Sequence, residues 1–330
     1  MMQKPSTSES KSQSEKGSDP LRRGQKLNEN DSPAKGQTPF RSGERHESMH
    51  PNYLNVFLTF AKNSLVRDMM FRANFVIEAF SSLSWALMNV GFYWLIFEHT
   101  ASIGRETGWG KYEFFVFMGT TWIVNSIVQT FFMPNSEEFS EMIRTGGLDF
   151  AMLKPIDTQF LISFRKVSWS SLANLFLGIV LIVISLGYLV NRAENPWRFE
   201  PSILLLYPLY IACGAAILYS LMICLAATSV WLGRNQTLYD FWFYITNFSR
   251  YPMEIYSRGW GFPLWLVFTF VIPVLVVVNV PARLLAQPLT PRASWEWPLA
   301  GFTLLATVGS ILFSRWVFGR ALLSYRSASS

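Results

Sequence analysis

Long runs of apolar residues alternate with short polar segments from about residue 75 to the end of the chain. About 20 helical residues cross the roughly 30 Å hydrocarbon core of a bilayer, so runs of this length predict membrane-spanning helices. The pattern predicts six spans, at residues 75–97, 112–133, 167–190, 203–231, 263–286 and 295–318. We therefore expect an all-α fold, that of a polytopic membrane protein with six transmembrane helices.

The residues before the first span have two different patterns. Residues 1–50 hold nine Lys or Arg and seven Asp or Glu, with only isolated apolar residues. Such a segment buries too little apolar surface to offset its conformational entropy, which predicts a disordered polar tail. Residues 51–74 mix apolar and basic positions, a spacing that predicts an amphipathic helix at the membrane interface. The transmembrane domain is accordingly expected to cover residues 51–330.

The fifth span is the least regular of the six because it contains Pro273 and Pro281. Proline lacks the backbone N–H, and a membrane helix tolerates it only where neighbours satisfy the freed carbonyl. We expect both prolines to interrupt this span, leaving it kinked or broken. The preceding inner loop, residues 232–262, is rich in aromatic side chains. That composition is typical of an interfacial segment at headgroup level, or equally of a re-entrant element.

Composition and charge exclude several classes of protein. Only 15% of the residues are charged, against about 25% in a typical globular domain. The net charge of +6 forms no basic stripe, so nucleic-acid binding is not expected. Cys213 and Cys224 would lie about 16 Å apart along one helix, too far for a disulfide. With His46 and His50 in the tail, no metal site of His and Cys is expected.

The distribution of basic residues predicts the orientation in the membrane. Six spans place both termini on one side. The loops on that side hold 12 Lys or Arg, and the loops on the opposite side hold six. By the positive-inside rule, this excess predicts that both termini are cytoplasmic.

The inner loop between the second and third spans, residues 134–166, predicts a short helix. Asn135 suits the N-cap, and Glu138 three residues later completes the pattern of a capping box. Gly146 or Gly147 offers the left-handed conformation that ends a helix. The loop is therefore expected to carry a helix that ends in a glycine turn on the cytoplasmic surface.

One face of this short helix is apolar, with Phe139, Met142 and Ile143 at helical spacing. From the pattern alone, the helix either covers a loop at the interface or is a knob that docks into another protein. No GxxxxGK[ST] run is present. If the protein uses ATP, the ATPase must therefore be another chain.

The same loop carries a family resemblance. The run from Ile143 to Asp157, IRTGGLDFAMLKPID, resembles the signature of a bacterial family of ABC-2 type transporter permeases. Further similar stretches are Phe248–Pro252, Phe270–Pro273 continuing to Asn279–Ala282, and Tyr325–Ser329. Together these matches extend from residue 140 to residue 330, and they say nothing about the tail.

The resemblance implies a six-helix permease of the bacterial inner membrane that pairs with a second permease, a heterodimer being favoured over a homodimer. Two ABC ATP-binding subunits would dock beneath the pair and use ATP and Mg²⁺, while this chain would bind no cofactor. The loop 134–166 would be the element that couples ATP hydrolysis to transport. Its expected contacts with the ATPase are Phe139, Met142, Ile143 and Arg144, and the residues expected to shape the turn are Gly146, Gly147, Asp149 and Pro155.

Several polar residues within the spans are candidates for a translocation path. They are Glu78, Asn89, Asn125, Gln129 and Asn174. Intramembrane carboxylates mark functional sites. Glu78, however, lies near a span end and could instead pair with Arg72 or Arg67. Hydrogen bonds between helices are the alternative explanation for the amides.

Three functions remain to be compared at this point. The resemblance implies the permease of an ATP-driven exporter of hydrophobic or amphiphilic compounds. An ATP-independent secondary carrier usually shows polar residues near the midplane and internal repeats, and no repeat is found. A membrane enzyme would need clustered His, Asp or Cys at one membrane face, but only His99 lies outside the tail.

Overall fold

The computed structural model describes residues 52–325 except 71, 105–106, 194–195, 233–235 and 287–295. The described residues form helices and loops with no β-strand, which confirms the all-α fold. The predicted tail lies outside the described residues. In chain order, the α-helices are α1 Tyr53–Met70, α2 Arg72–His99, α3 Lys111–Phe131, α4 Met133–Thr145, α5 Gly147–Met152, α6 Thr158–Phe164, α7 Leu172–Val190, α8 Pro201–Ala227, α9 Ser229–Leu232, α10 Gln236–Asn247, α11 Phe262–Leu266, α12 Val274–Ala286 and α13 Glu296–Ser324.

Five helical segments are long and apolar enough to cross a membrane. They are α2, α3 continued by α4, α7, α8 continued by α9, and α13, and they match the first four predicted spans and the sixth. The third span begins at Leu172 instead of residue 167. Its first predicted residues belong to a loop, where the Ser168 N–H donates to the Thr130 carbonyl at 2.9 Å.

Helix α3 lies at the centre of the bundle, where it packs on α7, α8 and α12. Its closest neighbour is α7, at a pair of glycines. A Cβ added to Gly178 would lie 2.8 Å from the Gly119 carbonyl oxygen, and one added to Gly119 would lie 2.8 Å from the Gly178 oxygen. Small residues of this kind let membrane helices pack backbone against backbone.

The two ends of the bundle can be defined by contacts at the two ends of α3. Trp109, just before α3, donates from Nε1 to Oε2 of Glu254 at 3.1 Å, and we call this the Trp109 end. Ser140, in α4 beyond the other end of α3, shares a 3.0 Å hydrogen bond with Ser229, and we call this the Ser140 end. Roughly 31 Å of helix separates the two, since α3 has 21 residues.

The fifth predicted span does not cross the bundle as one helix. Its halves, Gly259–Val271 and Val274–Ala286, meet at an angle of 86°. Glu254, shortly before the first half, forms an ion pair with Arg283 near the end of the second half. Both flanks of the segment therefore lie at the Trp109 end. The predicted break is confirmed, and these contacts describe a re-entrant hairpin in place of a straight span.

The passage between the two ends occurs within residues 232–262, which the hydropathy pattern places in an inner loop. Ser229 lies at the Ser140 end and Glu254 at the Trp109 end, so the chain traverses the bundle between them. Helix α10 lies on this path and packs on α8, and its 12 residues rise about 18 Å. The 3₁₀ turn Phe248–Arg250 continues it. With this passage, the part of the chain that the structure describes traverses the bundle six times.

The two prolines of the hairpin have different effects. Pro273 follows the π-helical turn Val267–Val271 and ends it, since its ring clashes with the preceding turn. Pro281 lies inside α12 without interrupting it, contrary to the expectation. The carbonyl of Val277, which has no N–H donor at Pro281, faces α8 at Gly214. A Cβ on Gly214 would lie 2.7 Å from that oxygen, so glycine permits the close contact.

The first and last described helices both reach the Ser140 end. The Tyr53 ring packs edge-on against Phe160 at 4.9 Å, and Arg315 of α13 donates to Asp157 at 2.8 Å. Phe160 and Asp157 belong to the loop that follows α5. Both ends of the described chain therefore lie at one end of the bundle, as an even number of passages requires.

Candidate functional site

The loop 134–166 folds as three short helices, α4, α5 and α6, which we call the coupling segment. Gly146 separates α4 from α5 in the left-handed conformation with φ 73°, which confirms the predicted glycine turn. Gly147 then begins α5. Asp157 caps α6 by accepting a hydrogen bond from the Phe160 N–H at 2.9 Å.

The predicted capping box at Asn135 and Glu138 is wrong. Helix α4 begins at Met133, directly after α3, so Asn135 lies inside it and not at its N-cap. The Asn135 amide instead donates to the Lys166 carbonyl and accepts from the Lys166 N–H, at 2.7 and 2.8 Å. Glu138 pairs with Arg165 and Lys166 at 3.3 and 3.1 Å. These side chains close the loop where its last helix approaches its first.

The apolar face of α4 packs into this chain's own core. Phe139 is 2% exposed and Met142 is 8% exposed. They lie in a cluster with Leu148 and Leu161 of the coupling segment and with residues of α8 and α13. The Phe139 ring, for example, lies 5.7 Å from that of Phe318. Their expected direct contact with an ATPase therefore does not agree with their burial.

The surface of the coupling segment is carried by other residues. Arg144 is exposed, and Ile143 is half-buried. The largest exposed apolar side chains follow the glycine turn: Phe150 is 74% exposed and Leu153 is 81% exposed. With the exposed neighbours Met152, Lys154 and Pro155, these two residues form what we call the docking tip. Asp149 is half-buried at its base.

The coupling segment is attached to several long helices. It continues α3 directly, and the Tyr219 hydroxyl of α8 is hydrogen-bonded to Gln159 and Ser163 at 3.1 and 2.8 Å. Arg315 of α13 reaches Asp157, as described above. Helix α1 also contacts it, since Ser64 accepts a hydrogen bond from the Val167 N–H at 3.1 Å. A force applied at the docking tip would therefore be transmitted to α3, α8 and α13 together.

An exposed ion pair also lies on α4. The Arg144 guanidinium donates from Nε to Oε2 of Glu141 at 2.9 Å. Both side chains are more than half exposed. The pair therefore places one negative and one positive charge on α4, close in sequence to the docking tip.

A second candidate site is a polar pocket of about 170 Å³ between α2, α3, α7 and the turn after α10. Four of the five residues predicted for a translocation path line it, namely Asn89, Asn125, Gln129 and Asn174. Glu78 does not line it. That carboxylate is exposed near the start of α2 and accepts a hydrogen bond from Asn74 at 2.6 Å, instead of pairing with Arg72 or Arg67.

The amides of this pocket have unused hydrogen-bonding capacity. Asn89 donates to the Trp85 carbonyl of its own helix at 2.8 Å. The side chains of Asn125, Gln129 and Asn174 have no hydrogen-bond partner among the described residues. All three are half-buried. Because buried amide groups are normally paired, their arrangement suits a polar ligand or water.

One cation also lines the pocket, and the hydropathy pattern did not identify it. Arg250 follows α10 in the 3₁₀ turn and joins the lining beside Tyr93. Arg250 was missed because residues 232–262 were assigned to an inner loop, where a basic residue needs no explanation. Phe150 and Leu153 could have been found as apolar residues that fall off the face shared by Leu148 and Ala151, which are buried.

The remaining candidates from the sequence are possible metal ligands and the two cysteines. In the described part of the chain, no group of three or more His, Cys, Asp or Glu side chains could hold a metal ion. Cys213 and Cys224 are free thiols, as their spacing predicts. Glu98, beside His99, forms an ion pair with Lys111 at 3.3 Å.

These features define a multi-pass α-helical membrane protein with a segment of three short helices at one end and a polar pocket among its helices. A family model described as ABC-2 family transporter protein matches residues 83–329. The chain therefore belongs to the ABC-2 family of transporter permeases, the membrane components of ABC transporters. Comparisons with curated proteins and with solved structures found no match.

Proposed function

We propose that this permease exports an amphiphilic compound, driven by a separate ATPase that docks on the coupling segment. The observation that carries the proposal is the docking tip. Its apolar side chains Phe150 and Leu153 are exposed on a segment anchored to three long helices. An exposed apolar patch on an otherwise well-packed element marks a site of protein interaction.

The charge distribution supports a cytoplasmic position for the Ser140 end. Placing Arg258 at the Trp109 end and Arg250 in the pocket leaves ten Lys or Arg in the inner segments and seven in the outer ones. The excess still favours the Ser140 end as the inner one, with both termini in the cytoplasm. The docking tip would then face a cytoplasmic ATPase. We propose a bacterial inner membrane as the location of the protein, as the family resemblance implies.

Family membership supports the other subunits of the proposed transporter, the ATPase and the second permease. ABC-2 permeases work with an ATP-binding subunit, and two such subunits would bind ATP and Mg²⁺ beneath a pair of permeases. Helix α2 offers a surface for the second permease, because only 6% of its most apolar stretch is buried within this chain. We favour a heterodimer. ATP binding would bias the pair between two arrangements, which is how docking would drive transport.

The test is co-purification of the tagged protein with its ATPase from mildly solubilised membranes. Leu153→Asp places a charge on the docking tip and is expected to abolish recovery of the ATPase. Phe199→Asp is the matched control, since Phe199 is 61% exposed and precedes α8 at the Trp109 end. It should leave the ATPase bound. Met142→Asp is less suitable, because a buried charge would lower stability by itself.

Two results would count against the proposal. Equal recovery of the ATPase with Leu153→Asp and with the unmodified chain would exclude the docking tip as the contact. Recovery of no nucleotide-binding subunit, under conditions that preserve other ABC complexes, would favour an ATP-independent carrier.

A further inference from the structure

Arg250 is an exposed residue that lines the polar pocket from the turn after α10. It lies between α10 and Met253, whose N–H donates to Oδ1 of Asn279 at 2.8 Å. Asn279 is four residues before Arg283, which pairs with Glu254 at the Trp109 end, so Arg250 lies about 6 Å or more inside that end. An ionisable group at such a depth generally faces a cavity or a partner charge.

No carboxylate neutralises this arginine within the described part of the chain. Its guanidinium lies 5.3 Å from the centroid of the Phe243 ring, and it forms no ion pair there. The other polar groups that line its pocket are neutral amides and hydroxyls. Because arginine stays charged at any physiological pH, the pocket keeps an uncompensated positive charge.

The size of the pocket limits what it can hold. Sites for drug-sized molecules usually enclose about 300–1,000 Å³, and this pocket encloses about 170 Å³. The space suits a small charged group rather than a whole amphiphile. The unpaired amides of Asn125, Gln129 and Asn174 can donate hydrogen bonds to such a group, in addition to the bidentate donor of Arg250.

The rim of the pocket is apolar. Trp85 both lines it and is 59% exposed, and Met88, on the next turn of α2, is 57% exposed. Phe92, one turn further, is 59% exposed. A ligand with its charged group on Arg250 would therefore meet an apolar helix face outside the pocket, where hydrocarbon tails are stabilised.

We infer that this pocket binds the anionic head group of an amphiphile, a phosphate or carboxylate, with Arg250 as its counter-ion and the tails along α2. The inference rests on the proposed function only in taking the bound amphiphile as the transported compound. A phosphate ester carries both features, the charge and the acceptor oxygens that the amides need.

Binding can be tested with the purified full chain in detergent, without ATP. The probe is dioctanoyl phosphatidylglycerol, titrated by calorimetry. Dioctanoylglycerol supplies the same tails without the anion, and inorganic phosphate supplies the anion without tails. Arg250→Gln should weaken binding of the phospholipid about tenfold or more, and Arg250→Lys should retain most of it. Arg67→Gln removes an equal charge from α1, where the Arg67 side chain is 47% exposed in its ion pair with Asp68, and should change nothing.

Three outcomes would overturn the inference: undiminished binding by Arg250→Gln, equal binding of dioctanoylglycerol, or equally tight binding of inorganic phosphate, which would indicate a free-anion site. If Arg250→Gln fails to fold, Asn125→Leu serves as the second variant, and it should also weaken binding of the phospholipid. Arg250→Gln should still recover the ATPase, and Leu153→Asp should still bind the phospholipid. Failure of either proposal is thus distinguishable from failure of the other.

Discussion

At the scale of single residues, the Trp109 end depends on a nearly buried ion pair. The side chains of Glu254 and Arg283 are 13% and 18% exposed. Trp109, which is fully buried, donates to the second oxygen of the same carboxylate. Residues far apart in the chain thereby hold the re-entrant hairpin against the start of α3.

Glu254→Gln should therefore lower stability substantially. The neutral amide would weaken the hydrogen bonds that Arg283 and Trp109 donate to a charged carboxylate, at a cost of about 1.5–3 kcal/mol. Glu98→Gln is the control, since the Glu98 carboxylate pairs with Lys111 but is 56% exposed. That pair should contribute about 1 kcal/mol or less. The midpoint of thermal unfolding in detergent measures both, and equal shifts for the two variants would contradict the importance of burial.

At the scale of helices, the contact of α3 with α7 depends on two glycines. The backbones meet at Gly119 and Gly178, where neither has room for a Cβ. Because a carbonyl oxygen of the facing helix lies 2.8 Å from each added Cβ, side-chain rotation alone cannot relieve the clash.

Gly178→Val should accordingly force the two helices apart. Gly187→Val is a matched control on the same helix, since a Cβ there would meet nothing within 4 Å. We expect Gly178→Val to reduce the yield of folded protein and its thermal midpoint by several degrees, at a cost of about 1–3 kcal/mol. Gly187→Val should stay within about 0.5 kcal/mol of the parent. A Gly178→Val protein that melts like the parent would show that the contact is dispensable.

At the scale of the whole molecule, the path of residues 232–286 decides the topology. If these residues first traverse the bundle and then form a hairpin, Trp260 lies outside the cell, whereas an inner loop 232–262 would place it in the cytoplasm. Trp260 is fully exposed, which makes it a suitable reporter.

Trp260→Cys should be labelled by a membrane-impermeant maleimide added to intact cells. Cys213 and Cys224 would first be replaced by Ala to remove background. Lys154→Cys, at the docking tip, should be labelled only after the membrane is opened. Labelling of both positions under the same condition would exclude the six-passage path described here.

Some of this architecture follows from sequence alone. The apolar runs predict five of the long helices, because the length of an apolar run determines whether a segment can span hydrocarbon. The break near Pro273 and the turn at Gly146 are also predicted, since each depends on the backbone chemistry of one residue. The polar residues Asn89, Asn125, Gln129 and Asn174 are recognisable individually, by being polar within apolar runs.

Tertiary structure decided the rest, because it depends on contacts between distant residues. Amphipathic spacing shows that Phe139 and Met142 share a face, but only packing on α8 and α13 shows that this chain covers it. The path through residues 232–262 is decided by Glu254 meeting Arg283. The same path carries Arg250 to four amides on three other helices. Local sequence determines the free energy of transferring a segment into the membrane and the places where the chain turns. The packing of segments on one another determines which surfaces stay free to bind.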